Sequence, residues 1–236
     1  MNARRRRVLL GAACVPVVMI VVLAVEVQLA RRGEPLADVD LSFPTAGSRT
    51  AVWLGDSTAA GVGVTIGGDA LASVVAGAHD ERVEMLAVSG ATLADVVSDQ
   101  LPAVAGLRPD VVYVSVGAND VTHLTRVDDF EQRYKQLLDG LPAGVPVRLL
   151  GVPDMGAPPR LAQPLRALAG WRGSQLDDVV RRVAAGRQQT VYVDIAGPTG
   201  PPFRRDPQRF FAEDGYHPSA AGYGLWADAV RAAAKG

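Results

Sequence analysis

Five short apolar runs follow residue 48, and helical patterns separate them. They are Ala51–Leu54, Val83–Val88, Val111–Val116, Val147–Gly151 and Thr190–Ile195. Each is nearly continuous in apolar residues, mostly Val, Leu, Ile and Tyr. Strands with one wet face alternate apolar and polar residues, whereas strands buried on both faces do not. The runs therefore predict an α/β domain, a parallel five-stranded sheet with helices on both faces. The stretches between them read as helices. Asp69–Ala78 links the first two runs. Thr92, with Asp95 three residues on, reads as a capping pair ahead of Leu93, Val96 and Val97. Asp128 or Asp129 reads as the cap of a helix bearing Phe130, Tyr134, Leu137 and Leu138. Ser174 reads as the cap of another, with Leu176, Val179, Val180 and Val183 on one stripe and Gly186 as its stop. Pro218 reads as the start of a last helix running to about Ala234. In parallel sheets, sites form beyond the carboxyl ends of the strands. Residues of any proposed site should therefore gather there.

The N-terminus is a different kind of sequence. Residues 8–25 hold eighteen residues without a charge, VLLGAACVPVVMIVVLAV. As a helix this run is roughly 27 Å long, close to the thickness of a bilayer's hydrocarbon. Arg4, Arg5, Arg6 and Arg7 precede it, and such a basic cluster stays on the cytoplasmic side. The run reads as an uncleaved signal anchor that places the rest of the chain outside the membrane. A cleaved signal peptide has the same charge pattern, but Gln28 spoils a small-x-small site ending at Ala30. A lipid anchor on Cys14 is disfavoured because most of the apolar run lies after it. Residues 1–7 are then a basic cytoplasmic tail, 8–25 a transmembrane helix, 26–47 a linker or strap, and 48–236 the folded domain.

Charge and cysteine content exclude some functions. The net charge is −1, and removing the four N-terminal arginines leaves −5, so no basic field calls for nucleic acid. A single Cys makes no intrachain disulfide and no thiolate metal cage. His79 and His123 have no second ligand at metal spacing and read as solvated. The loop with Gly55, Gly61, Gly63, Gly67 and Gly68 lacks the Lys-Ser/Thr pair of a phosphate-binding loop.

Four short blocks carry chemistry. Gly55-Asp56-Ser57 follows the first strand, where a turn can expose a hydroxyl and aim its backbone N–H at a developing oxyanion. Gly90 follows the second strand in Val-Ser-Gly-Ala-Thr, where backbone can approach a substrate without a Cβ in the way. Asn119 follows the third in Val-Gly-Ala-Asn-Asp and offers a side-chain N–H donor; Asp120 reads as a local brace. Near the C-terminus, Asp-Gly-Tyr-His-Pro supplies His217, an imidazole able to take a proton from Ser57. Asp214, three residues earlier, can fix its tautomer.

Together the blocks resemble those of the SGNH, or GDSL-type, hydrolases, from Val52 to about Trp226. The family is named for a catalytic Ser, an oxyanion Gly, an oxyanion Asn and a catalytic His. The resemblance implies a flavodoxin-like three-layer α/β/α sandwich without metal or organic cofactor. It implies Ser57 as nucleophile, His217 as base and Asp214 as its orienting partner. It further implies an oxyanion hole of the Ser57 and Gly90 amides and the Asn119 side chain. Thr58 stands where the family's name has Leu. The expected activity is esterase or lipase chemistry on small-molecule, lipid or glycan esters. An extracytoplasmic acyltransferase or deacetylase of cell-envelope glycans or lipids is the alternative with the same chemistry. A non-catalytic binding protein on this fold is the remaining class, and the intact Ser/Gly/Asn/His set argues against it. Met155–Trp171 and Pro198–Phe211 read as connections flanking the site, each with residues suited to a pocket wall.

Overall fold

The structure is a computed structural model that describes residues 21–28, 36 and 40–234. Residues 1–20, which hold the basic tail and most of the expected membrane span, lie outside the described residues, as do most of 29–39. Residues 21–28 are helical. Among the described residues no helix is long and apolar enough to cross a membrane.

Five parallel strands form one sheet in the order β2-β1-β3-β4-β5. They are β1 (Arg49–Gly55), β2 (Glu81–Met85), β3 (Val111–Ser115), β4 (Val147–Leu150) and β5 (Thr190–Val193). All five expected runs are strands, with ends that shift by a few residues. β2 starts earlier and stops at Met85, yet Leu86 N–H still donates to Trp53 O and Val88 N–H to Gly55 O. The central strands β1 and β3 are buried from Ala51 to Gly55 and throughout Val111–Ser115, which explains their unbroken apolarity. Trp53 and Tyr113 are paired in register and stack with centroids 4.4 Å apart.

Helices cover both faces. On one lie α1 (Leu71–His79) and, near the C-terminus, α9 (Ala220–Ala233), which bury Leu71, Val75, Tyr223, Trp226 and Val230. The other face carries α2 (Leu93–Asp95), a π-helical turn (Val96–Gln100) and α3 (Leu101–Leu107). Beyond β3 it also carries α4 (Ala118–Thr122), α5 (Val127–Gly140) and the long α6 (Leu165–Ala185). Leu93, Val96, Phe130, Tyr134, Leu137, Leu176 and Val180 fill that layer. Burying each such Leu or Val stabilises the fold by about 1.5–3 kcal/mol before chain entropy is set against it. After β5 come α7 (Ala196–Arg205) and α8 (Pro207–Phe210). Residues 40–47 lie along the domain: Pro44 O accepts from Val83 N–H, and Leu41 and Phe43 pack against the α1/α9 layer.

Several expected helix ends move. The Thr92–Asp95 pair is present, with Asp95 Oδ2 accepting from Thr92 N and Oγ1. Ser174, however, is inside α6, which begins nine residues earlier, because Ala169 and Gly173 extend the buried stripe back past it. Arg126, not Asp128 or Asp129, occupies the cap of α5, and both aspartates sit in its first turn. Ser219 caps α9 by accepting from Gly222 N–H, while Pro218 lies just before it in a bridge to Phe211.

Candidate active site

The carboxyl ends of β1, β2 and β3 are stitched together. Gly55 O accepts from Val88 N–H at 3.1 Å, and Asp56 N–H donates to Ser115 O at 3.0 Å. Gln100 reaches in from the π-helical turn: its Oε1 accepts from Gly55 N–H and its Nε2 donates to Gly55 O, both at 2.8 Å. Gln100 shares a buried stripe with Leu93, Val96 and Val104. A polar side chain on an apolar stripe is the signal that marks it in the sequence. The result is a strand end fixed on both backbone groups immediately before Ser57.

Ser57 opens the following turn, whose Ala60 and Val62 N–H groups return to Asp56 O and Ser57 O. Its Oγ lies 3.0 Å from His217 Nε2. His217 Nδ1 lies 2.6 Å from Asp214 Oδ2. A carboxylate only accepts, so Nδ1 carries the ring proton and Nε2 is left to accept from the serine hydroxyl. Asp214 is itself held, its Oδ1 accepting from the N–H groups of Tyr216 and His217. Burial alone would raise its pKa, but the bonds from His217 and the two backbone donors outweigh burial and hold it below the usual carboxylate value. Arg160 lies 3.9 Å from Asp214 Oδ2.

Ser57 and His217 are 160 residues apart, and Gly63 is the contact that lets their turns meet. It adopts φ +112°, and a Cβ there would fall 2.2 Å from Pro218 O and 3.2 Å from the His217 Cβ. Tyr223 of α9 adds a tie, its hydroxyl donating to Val62 O at 2.6 Å. Of the glycines in this loop, Gly63 thus serves close packing between the two turns, while Gly61 packs on Leu41 and Ala70 and Gly67 on Ser42.

Beneath Ser57 lies a buried polar cluster that sequence reading did not foresee. Asp56 Oδ1 accepts from Thr58 N–H and Oγ1–H, and Thr58 Oγ1 lies 2.8 Å from Ser115 Oγ. Burial pushes the Asp56 carboxyl up to about 6. The Thr at position 58 therefore makes hydrogen bonds that a Leu could not.

Gly90 and Asn119 stand in the segments that follow β2 and β3. Gly90 has φ +85° and is exposed. Asn119 Nδ2 donates one hydrogen to Ala91 O at 3.0 Å, which leaves its second amide hydrogen available. Asp120 is fully buried, and its Oδ2 accepts from Leu93 N–H. His123 is exposed and its Nδ1 lies 2.8 Å from Asn119 O. His79 departs from expectation: it is partly buried, and burial lowers its pKa. Among the described residues no cluster of His, Cys, Asp or Glu could hold a metal.

A cavity of about 40 Å³ opens beside Ser57 and His217. Met155, Ala157, Thr199, Phe203, Phe211 and Trp226 form much of its wall. Both flanking connections singled out in the sequence contribute to it. Asp154 and Arg204 pair across them at 2.6 and 2.7 Å, joining the segment after β4 to α7.

The chain matches the GDSL-like Lipase/Acylhydrolase family over residues 53–225. It is 36% identical over 191 residues to a GDSL-like esterase of Mycobacterium tuberculosis, a match that covers 74% of this chain and 58% of that relative. Its fold is similar to a lipase/acylhydrolase from Enterococcus faecalis, with TM-score 0.61 at 23% identity, over 77% of this chain and 93% of that one. It is also similar to an acetylxylan esterase from Geobacillus stearothermophilus, with TM-score 0.57 at 21% identity, over 80% and 94%.

Proposed function

This chain belongs to the GDSL-like lipase/acylhydrolase family, and on that premise we propose that it is a serine esterase acting through an acyl-enzyme. His217 Nε2 takes the hydroxyl proton as Ser57 Oγ attacks the ester carbonyl. Asp214 keeps the ring in the accepting tautomer and stabilises the imidazolium that forms. The carbonyl oxygen becomes an oxyanion, held by the Ser57 and Gly90 amides and the free Asn119 hydrogen. His217 then gives the proton to the departing alcohol, and water repeats the sequence to release the acid.

The observation that carries this reading is the unbroken chain from Ser57 Oγ through His217 to Asp214. Labelling with a fluorophosphonate probe tests it. The wild-type chain should become labelled at Ser57 and hydrolyse a short p-nitrophenyl ester, and Ser57→Ala should lose both. A Ser57→Ala protein with wild-type turnover refutes the assignment.

A second reading keeps the acyl-enzyme and changes what resolves it: an alcohol or sugar of the cell envelope in place of water, or an acetylated glycan as donor. It is favoured by the exposure of Val88, Ser89, Gly90 and His123 around the oxyanion residues, which leaves space for a bulky group. Product analysis with and without a sugar acceptor separates the two. In both readings residues 8–25 anchor the chain in a membrane, with the domain outside.

A further inference from the structure

The start of α6 has an outward face unlike the rest of that helix. Its first eight residues, LRALAGWR, hold no carboxylate, and the two arginines among them turn to backbone carbonyls, Arg166 to Leu161 and Pro159 and Arg172 to Thr125. Leu168 and Trp171, one turn apart, are 40% and 58% exposed. The end of the apolar N-terminal run reaches this place. Glu26, the first charge after the run, is 8% exposed, and its Oε2 accepts from Leu165 N–H at 2.8 Å. Val21 and Val25 of the same short helix point to solvent, at 56% and 53%.

We infer that this face, Leu168 and Trp171, rests in the interfacial layer of the bilayer that residues 8–25 enter. The inference rests on the reading of that run as a membrane anchor. Given the anchor, distance does the rest. Glu26 marks the point where the chain leaves the hydrocarbon and bonds directly to the first residue of α6. Trp171 lies six residues on, about 9 Å along the helix axis. The headgroup layer is roughly 5–7 Å deep on each side, so Trp171 lies within it where α6 runs at a slant to the membrane normal. Tryptophan favours that layer. The chain leading into α6 supplies Met155, Ala157 and Pro158 to the cavity wall. The proposed lipid face and the cavity wall are thus joined by one connecting segment.

The tryptophans make a direct test. Of three, Trp53 and Trp226 are 0% and 3% exposed, so Trp171 alone is open to lipid. The full-length chain is reconstituted in phosphatidylcholine/phosphatidylglycerol vesicles, with or without dibrominated acyl chains, and its emission is compared. Flotation of the vesicles reads the anchor separately. The expected result is that the chain floats, that brominated lipid quenches its emission, and that Trp171→Phe abolishes the quenching. Glu26→Ala, which releases the tie to α6, should reduce it. Turnover of a soluble ester should be unchanged in both variants, which shows that they are folded. A chain that floats but is not quenched, or is quenched equally in Trp171→Phe, overturns the docking and leaves the anchor standing. A chain that does not float overturns the anchor, and the docking falls with it.

Discussion

The two sides of Ser57 are built differently. On one, the imidazole–carboxylate pair and the cavity wall are enclosed: Asp214's side chain is 2% exposed, and Met155, Phe203, Phe211 and Trp226 are buried. On the other, Val88, Ser89, Gly90 and His123 are exposed, and the Asn119 amide is only half committed. An enclosed region fixes geometry and limits size, whereas an exposed one leaves size free. The comparison predicts that one part of the ester is restricted in size and the other is not.

The largest effect that can break this comparison is on the enclosed side. Asp214→Asn should lower kcat by about 10⁴-fold, because an amide no longer enforces the accepting tautomer at His217 Nε2. Steady-state kinetics on a short ester measures it, and a loss under tenfold would mean that backbone and packing hold His217 without the carboxylate. On the open side, Asn119→Ala should cost about 10²–10³ in kcat with little change in KM, the mark of a donor used mainly in the transition state. An equal rise in KM would make Asn119 a ground-state contact instead.

Between the sides lies Asp56, whose effect is on stability. Its carboxyl is raised in the fold from 3.8 to about 6, so folding favours the protonated form. The stability it contributes is complete below pH 3.8 and declines as pH rises through about 6, by on the order of 2–3 kcal/mol. Asp56→Asn keeps an acceptor for Thr58 and removes the buried charge. The variant should show a flatter melting temperature between pH 4 and 7 than the wild type. Parallel curves would mean that the charge is relieved by water or by movement.

The smallest effect tests size selection. Met155→Ala enlarges the cavity and should move the optimum by a few carbons in whichever ester component the wild type restricts. Two ester series read this, one varying the acyl chain and one the alcohol. Restriction in both series, or in neither, would remove the contrast between the two sides.

The sheet was legible in the chain because β1 and β3 are apolar on both faces, which only a strand covered by two layers requires. Ser57, Asp214 and His217, which the structure brings together, were legible because a turn after a strand and a His three residues past an Asp are local patterns. Gln100, Gly63 and the Asp56–Thr58–Ser115 cluster were not assigned. Each works through a partner distant in sequence: Gln100 on Gly55, Gly63 on Pro218, Thr58 on Ser115. The start of α6 was misplaced for a related reason, since a helix end is set by what packs against it as much as by its own capping residues.

By itself the sequence determined the strand–helix alternation and which residue types stand at the strand ends, because local patterning and turn chemistry are written in neighbouring residues. Only the tertiary structure decided that a hydroxyl from the first strand end and an imidazole from the tail lie 3.0 Å apart. That distance depends on backbone pressed against a Cα with no side chain at Gly63, a contact between segments more than 150 residues apart. No periodicity along the chain records it.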